Sequence, residues 1–176
     1  MNVTVFGGSQ PVSGTPAYLE AYELGKLLAL SGHAVLTGGY VGTMEAVSRG
    51  ANEAGGHVIG VTCSEIERWR KVGANAWVIE ERKFETLRQR LDGLIEGCDA
   101  AIALPGGPGT LTEISLMWNL MIIDAILQRP LVLVGSGWKS MFDMAYVNLD
   151  PYFVPRQRAF LNFAPDVHTA VQQIIL

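Results

Sequence analysis

Apolar positions follow two alternating rhythms along the chain. Short runs rich in β-branched residues, Val3–Phe6, Ala34–Thr37, His57–Val61, Trp77–Ile79, Ala100–Leu104 and Leu131–Val134, predict strands. Between them the apolar positions return with helical period over Ala17–Leu30, Thr43–Ala54, Lys83–Glu96, Gly109–Leu127, Trp138–Asn148 and Asp166–Ile175. Strand and helix in alternation predict an α/β fold: a three-layer α/β/α sandwich whose mostly parallel sheet of six to seven strands is wound by right-handed crossovers. Asp150–Pro155 is the most irregular piece, and Ala159–Phe163 is the candidate for a last edge strand. No linker, repeat or low-complexity tract interrupts residues 1–176, which read as one domain.

Two helices depart from a plain surface pattern. On Lys83–Glu96 the apolar stripe runs through Phe84, Leu87, Leu91, Leu94 and Ile95, on to Cys98, which leaves Arg88 and Arg90 on its flanks. Either arginine can lean toward a crevice or lie solvated with its aliphatic stem over the core. Gly109–Leu127 is apolar nearly all round, from Ile114 through Met117, Trp118, Met121 and Ile126 to Leu127. Such a helix needs cover on its outer side. Packing against the same helix of a second copy supplies it as a homodimer; complete burial within one subunit is the alternative.

Composition narrows the class. Of 176 residues, 49% are hydrophobic and 17% charged, a balance that fits a compact soluble domain and excludes disorder. Thirteen basic and seventeen acidic side chains give a net charge of -4 with no basic run, so a nucleic-acid polymer is not an expected partner. The N-terminal residues lack the pattern of a signal peptide, and the longest apolar stretch is interrupted by Asn119 and Asp124, so neither export nor a membrane span is expected. Cys63 and Cys98 match no metal-ligand spacing and fit a reducing cytoplasm. The three histidines are assigned no chemistry, and Trp69, Trp77, Trp118 and Trp138 read as core or interface aromatics, with Trp118 an outside candidate for base stacking.

In an open parallel sheet the ligand crevice lies beyond the carboxyl ends of the strands. Three candidate strands end there in glycine-bearing loops: Gly7-Gly8-Ser9, Gly38-Gly39-Tyr40-Val41-Gly42, and Pro105-Gly106-Gly107-Pro108-Gly109-Thr110. The third loop opens a helix, so bare amides and the positive helix end can meet an anion; a tight strand-to-helix turn is the plainer alternative. No Walker lysine and no G-x-G-x-x-G spacing are present, which argues against an NTPase and a dinucleotide dehydrogenase. Glu113 reads in two ways. With Thr110 it forms a capping-box pattern; beside an anion cradle, its charge suits stabilisation of an oxocarbenium-like sugar, as carboxylates do in glycoside hydrolysis.

Leu104-Pro105-Gly106-Gly107-Pro108-Gly109-Thr110-Leu111-Thr112-Glu113 resembles the PGGxGTxxE signature of the Lonely Guy (LOG) phosphoribohydrolases, a family long mislabelled as lysine decarboxylases. Val5–Ser9 and Thr37–Met44 resemble the family's first and second loops, so the likeness covers nearly the whole chain. The resemblance implies a Rossmann-like homodimer, without a cofactor or metal, that cleaves the N-glycosidic bond of adenine-type nucleoside 5'-monophosphates, AMP or cytokinin riboside monophosphates, to free base and ribose 5-phosphate. Carried over by motif, Glu113 and Arg90 are catalytic. Gly7, Gly8, Ser9, Gly38, Gly39, Gly106, Gly107, Pro108, Gly109 and Thr110 hold phosphate or substrate. The family's arginine usually sits in a Glu-Arg-Lys triplet, which here occurs at Glu81-Arg82-Lys83, so Arg82 is the fallback. Glu45 and Pro108 also depart from the family pattern, where glycine and tyrosine are common. The competing reading is a binding protein: molybdenum cofactor carriers resemble the same fold and loops and hold a phosphorylated pterin without turnover.

Overall fold

The computed structural model describes residues 1–175. Its strands are β1 (Asn2–Phe6), β2 (Ala34–Thr37), β3 (Val58–Cys63), β4 (Glu80–Phe84), β5 (Ala100–Ala103), β6 (Leu131–Val134) and β7 (Asn162–Ala164). They form one sheet in the order β4-β3-β2-β1-β5-β6-β7, and every adjacent pair is parallel. Winding proceeds one way from β1 to β4, then returns to the other side of β1 at β5. The switch between β1 and β5 is where such sheets open a crevice at their carboxyl edge.

The helices are α1 (Pro16–Leu30), α2 (Thr43–Glu53), α3 (Ser64–Arg70), α4 (Leu87–Glu96), α5 (Pro108–Ile122), α6 (Ser136–Asn148), α7 (Pro155–Arg158) and α8 (Val167–Ile175). They cover two separate cores, one on each face of the sheet. Val3 and Val5 of β1 point to a core completed by Leu24 and Leu28 of α1, Val47 of α2 and Ile174 of α8. Phe6 and the odd-numbered positions of β6, Leu131 and Leu133, point the other way, toward Leu94 of α4, Met117 of α5 and Phe142 of α6. The period of two along each strand thus assigns successive side chains to opposite layers. Thr4 is buried without penalty because its hydroxyl donates to the Leu94 carbonyl at 2.8 Å. Among the described residues no helix is long and apolar enough to cross a membrane.

The fourth strand lies three residues beyond Trp77–Ile79, where it was expected. Glu80–Phe84 pairs with Ile59–Cys63 at the sheet edge, and its Glu81 and Lys83 face solvent. An edge strand carries charge where a central one carries valine, so its sequence hides it. Lys83 consequently belongs to β4, and α4 begins at Leu87, capped by Thr86 and Gln89. The seventh strand is shorter than Ala159–Phe163 and shifted, to Asn162–Ala164. Helices α3 and α7 were not expected. The helix expected at Gly109–Leu127 stops at Ile122 because Asp124 takes a left-handed φ of 55°.

Complete burial of α5 within one chain is not what the fold provides. Ile114, Met117 and Met121 are buried against the sheet, but Leu111 (36% exposed) lies open on the helix, as do Ile123 (63%) and Leu127 (83%) in the segment just past its end.

Candidate active site at the sheet switch point

Backbone hydrogen bonds knit the three glycine loops together. The Gly8 amide donates to the Pro105 carbonyl at 3.3 Å, joining the loop after β1 to the loop after β5. The Thr43 amide donates to the Gly8 carbonyl at 2.9 Å, bringing in the start of α2. Helix α5 then begins with Gly107 as its N-cap, no side chain capping it, and Pro108 in the first turn. Proline suits that position because an amide there would have no intrahelical partner; those of Gly109 and Thr110 have none either and remain for another acceptor. Thr110, which the capping-box reading would place at the cap, is instead inside the helix, and its hydroxyl packs against Gly106. Glu113 is therefore in the second turn, too far along to cap anything, and among the described residues its carboxylate makes no hydrogen bond to the main chain. The cap reading of Glu113 is overturned.

Arg90 enters from α4 and is 5% exposed. Its guanidinium is fixed from behind: Nε donates to the Val61 carbonyl at 2.7 Å and Nη2 to the Gly38 carbonyl at 3.2 Å. The Tyr40 ring lies 5.5 Å from Cζ, held in turn by its hydroxyl, which donates to the Cys63 carbonyl and accepts from the Cys63 amide at 2.7 Å. Nη1 is left facing Glu113, whose Oε1 is 3.7 Å away. Glu113 is only 8% exposed, and burial pushes its carboxyl up to about 7, against the pull of Arg90.

Gly7, Gly8, Ser9, Gly107, Pro108, Gly109, Thr110, Arg90 and Glu113 line one pocket of about 410 Å³, within the usual range for small-ligand sites, roughly 300–1,000 Å³. Gly38, Gly39 and Gly106 are not on its surface. Gly38 is small for the sake of the arginine, since a Cβ there would sit 1.9 Å from Arg90 Nη2; Gly39 packs on Gly60 and Thr62. Of the other arginines, Arg82 is on β4, bonded to Glu80 at 2.7 Å, and Arg88 is exposed on the outside of α4; neither lines the pocket. Glu45 accepts from the Tyr18 hydroxyl at 3.1 Å on the α1 side and also stays off the pocket surface.

Sequence reasoning missed the pocket's far wall. Ile66, Trp69 and Arg70 of α3 stand opposite the loops with Leu87 and Leu91 of α4, and Tyr40 and Met44 complete the floor. The signal in Ser64–Arg70 was charge order alone, glutamates early and arginines late, as a helix dipole favours. Trp69 is not a core aromatic: it is 75% exposed at the pocket mouth. Trp118 stacks on Phe153 at 5.7 Å, its indole N–H donating to the Gln157 carbonyl at 2.8 Å, and it does not reach the pocket.

Residues 1–129 match the SLOG cluster4 family. Over 178 residues the chain is 32% identical to a probable cytokinin riboside 5'-monophosphate phosphoribohydrolase of Oryza sativa subsp. japonica, covering 98% of this chain and 76% of that protein. It is 28% identical over 179 residues to a cytokinin riboside 5'-monophosphate phosphoribohydrolase of Rhodococcoides fascians, covering 98% and 88%. Among solved structures, the molybdenum cofactor binding protein from the phototrophic bacterium Rippkaea orientalis superposes with a TM-score of 0.76 at 28% identity, covering 99% of this chain and 94% of that one.

Proposed function

The chain belongs to the SLOG cluster4 family and is a relative of the LOG phosphoribohydrolases, and on that footing we propose that it hydrolyses the N-glycosidic bond of adenine-type nucleoside 5'-monophosphates, AMP or a cytokinin riboside monophosphate. The products are the free base and ribose 5-phosphate. The observation that carries this reading is the buried pair of Arg90 and Glu113, 3.7 Å apart, beside the uncapped start of α5. A carboxylate in a phosphate-binding cleft repels its ligand, so a pure binding site gains nothing from it. A reaction that develops positive charge on the ribose does.

In this reading the amides of Gly109 and Thr110, with the Gly7-Gly8-Ser9 loop, receive the 5'-phosphate and so fix the ribose over Glu113. The ionised carboxylate faces C1' as its bond to the base lengthens, and its charge offsets the oxocarbenium character of the sugar. Water adds its oxygen to C1'; the bond to the base nitrogen breaks, and the base leaves with a proton, the count balancing to one water consumed. Arg90 keeps the carboxylate aimed and supports its ionised form. The route uses no cofactor. The uncovered apolar side of α5 supports a homodimer through that helix, and two free buried thiols, Cys63 and Cys98, support a cytoplasmic location.

The test is incubation with a panel of nucleoside 5'-monophosphates, with free base measured for the protein and for Glu113→Gln. Base release lost with the substitution supports the assignment; equal rates end it. The likeness to a molybdenum cofactor binding protein favours a second reading, a carrier holding a phosphorylated pterin in the same pocket. Protein that retains a pterin through purification and leaves every nucleotide intact would establish that reading instead.

A further inference from the structure

The pocket has two unlike ends. Glycine loops and the α5 start form one, and the side chains Ile66, Trp69, Leu87 and Leu91 form the other. A ligand matching both is anionic at one end and flat and apolar-faced at the other. Trp69 is the anomaly in that wall. Trp118 and Trp138 are buried, each with its indole N–H on a carbonyl, and Trp77 lies half-buried beneath Arg49; Trp69 alone leaves most of its ring in water. Exposing a large apolar ring is unfavourable, and the fold obtains no packing from it: α3 buries none of its side chains. Polar ties hold α3 in place instead. The Leu87 amide donates to the Glu65 carboxylate at 2.7 Å, and Lys83 pairs with Glu67. Those ties fix the ring at the mouth, while Arg70 lies 4.9 Å from its centroid and braces it.

We propose that Trp69 is the stacking platform for the planar base of the bound nucleotide and so a specificity-determining residue of the pocket. This rests on the nucleoside monophosphate reading given above, but not on turnover. Stacking is sequence-tolerant and acts on the π-face, so Trp69 selects for a flat heterocycle over a bare sugar phosphate, whereas the α5 end recognises what both share. Arg70, lining the pocket beside it, keeps the indole from rotating away.

The experiment is a fluorescence titration with AMP and, separately, with ribose 5-phosphate, in protein carrying Glu113→Gln so that AMP survives, alone and combined with Trp69→Ala or Trp69→Phe. AMP is expected to quench the exposed tryptophan and ribose 5-phosphate to leave it unchanged. Trp69→Ala is expected to weaken AMP by about 5- to 150-fold, the span of one base-stacking contact, with ribose 5-phosphate altered less than about twofold. Trp69→Phe restores most of the loss. Equal weakening of both ligands, or none, overturns the proposal; so does a signal that follows protein concentration and ignores AMP, since a second copy then covers the ring. If the unsubstituted protein releases no base yet Trp69→Ala selectively weakens AMP, hydrolysis falls and stacking stands; if AMP does not bind, both fall.

Discussion

Nη1 of Arg90 stands 3.7 Å from Oε1 of Glu113, close enough for attraction and too far for a short hydrogen bond. The guanidinium is held back by carbonyls of Val61 and Gly38, so it cannot close the gap by itself. A buried carboxylate held at that distance is only partly compensated by its partner, and on the pocket wall it stays available to a ligand.

Glu113→Gln keeps the size and removes the charge. Phosphate and ribose 5-phosphate should bind as before, within about twofold. Base release should fall by at least about 10²-fold, the scale on which removal of one transition-state contact acts. In the unsubstituted protein the rate should rise as pH passes through about 7, where the carboxyl ionises, and stopped assays from pH 5.5 to 8.5 read the midpoint.

The same substitution should stabilise the fold at alkaline pH. The Glu113 carboxyl moves from an ordinary value of 4.5 up to about 7 on folding, so between those values the folded chain holds a proton that the unfolded chain has lost. Stability from this group is complete below about 4.5 and is lost as pH rises through about 7, amounting to something on the order of 3 kcal/mol. Denaturant midpoints for the two proteins should agree most closely near pH 4.5 and separate, with the glutamine variant higher, by pH 8. A constant offset would contradict this.

Gly38→Ala tests the seat of the arginine. The added methyl would lie 1.9 Å from Nη2, so the guanidinium must leave its place or the loop must shift. Base release should drop about as far as in Arg90→Ala, while binding of ribose 5-phosphate changes little. Folding should weaken by about 1–3 kcal/mol, the usual cost of overpacking, as read by chemical denaturation.

Ile123→Asp with Leu127→Asp addresses the open apolar surface just past the end of α5. Both side chains are mostly in solvent within one chain, at 63% and 83%, so the isolated fold loses little. Sedimentation should show the unsubstituted protein as a dimer and the double variant as a monomer with a nearly unchanged thermal midpoint in dilute solution. Identical sedimentation of both would remove this end of α5 from the interface.

Much of this architecture is legible in the sequence because the central strands are buried on both faces. Val3–Phe6, Ala34–Thr37 and Leu131–Val134 carry unbroken apolar or threonine runs, and the turns after them are rich in glycine. The edge strand Glu80–Phe84 needs only one side covered, and its charges disguised it. Arg90 was separable from Arg88 only through the resemblance, since helical phase treats the two alike. What distinguishes Arg90 physically is a pair of carbonyl acceptors, Val61 on β3 and Gly38 in the loop after β2, which no local pattern encodes. Helix α3 left no apolar stripe to read because none of its side chains is fully buried, and with it the tryptophan wall stayed hidden.

The hydrogen bond from Gly8 to Pro105 ties the first loop of the chain to one almost a hundred residues later. Parallel pairing of this kind is non-local and closes slowly, so the cleft floor comes into being only when the whole sheet does. An occupant bound there engages the native state alone and has no counterpart in the opened chain. Its affinity should accordingly register as resistance of the entire domain to melting, rising with the logarithm of its concentration, and not as the stiffening of one loop.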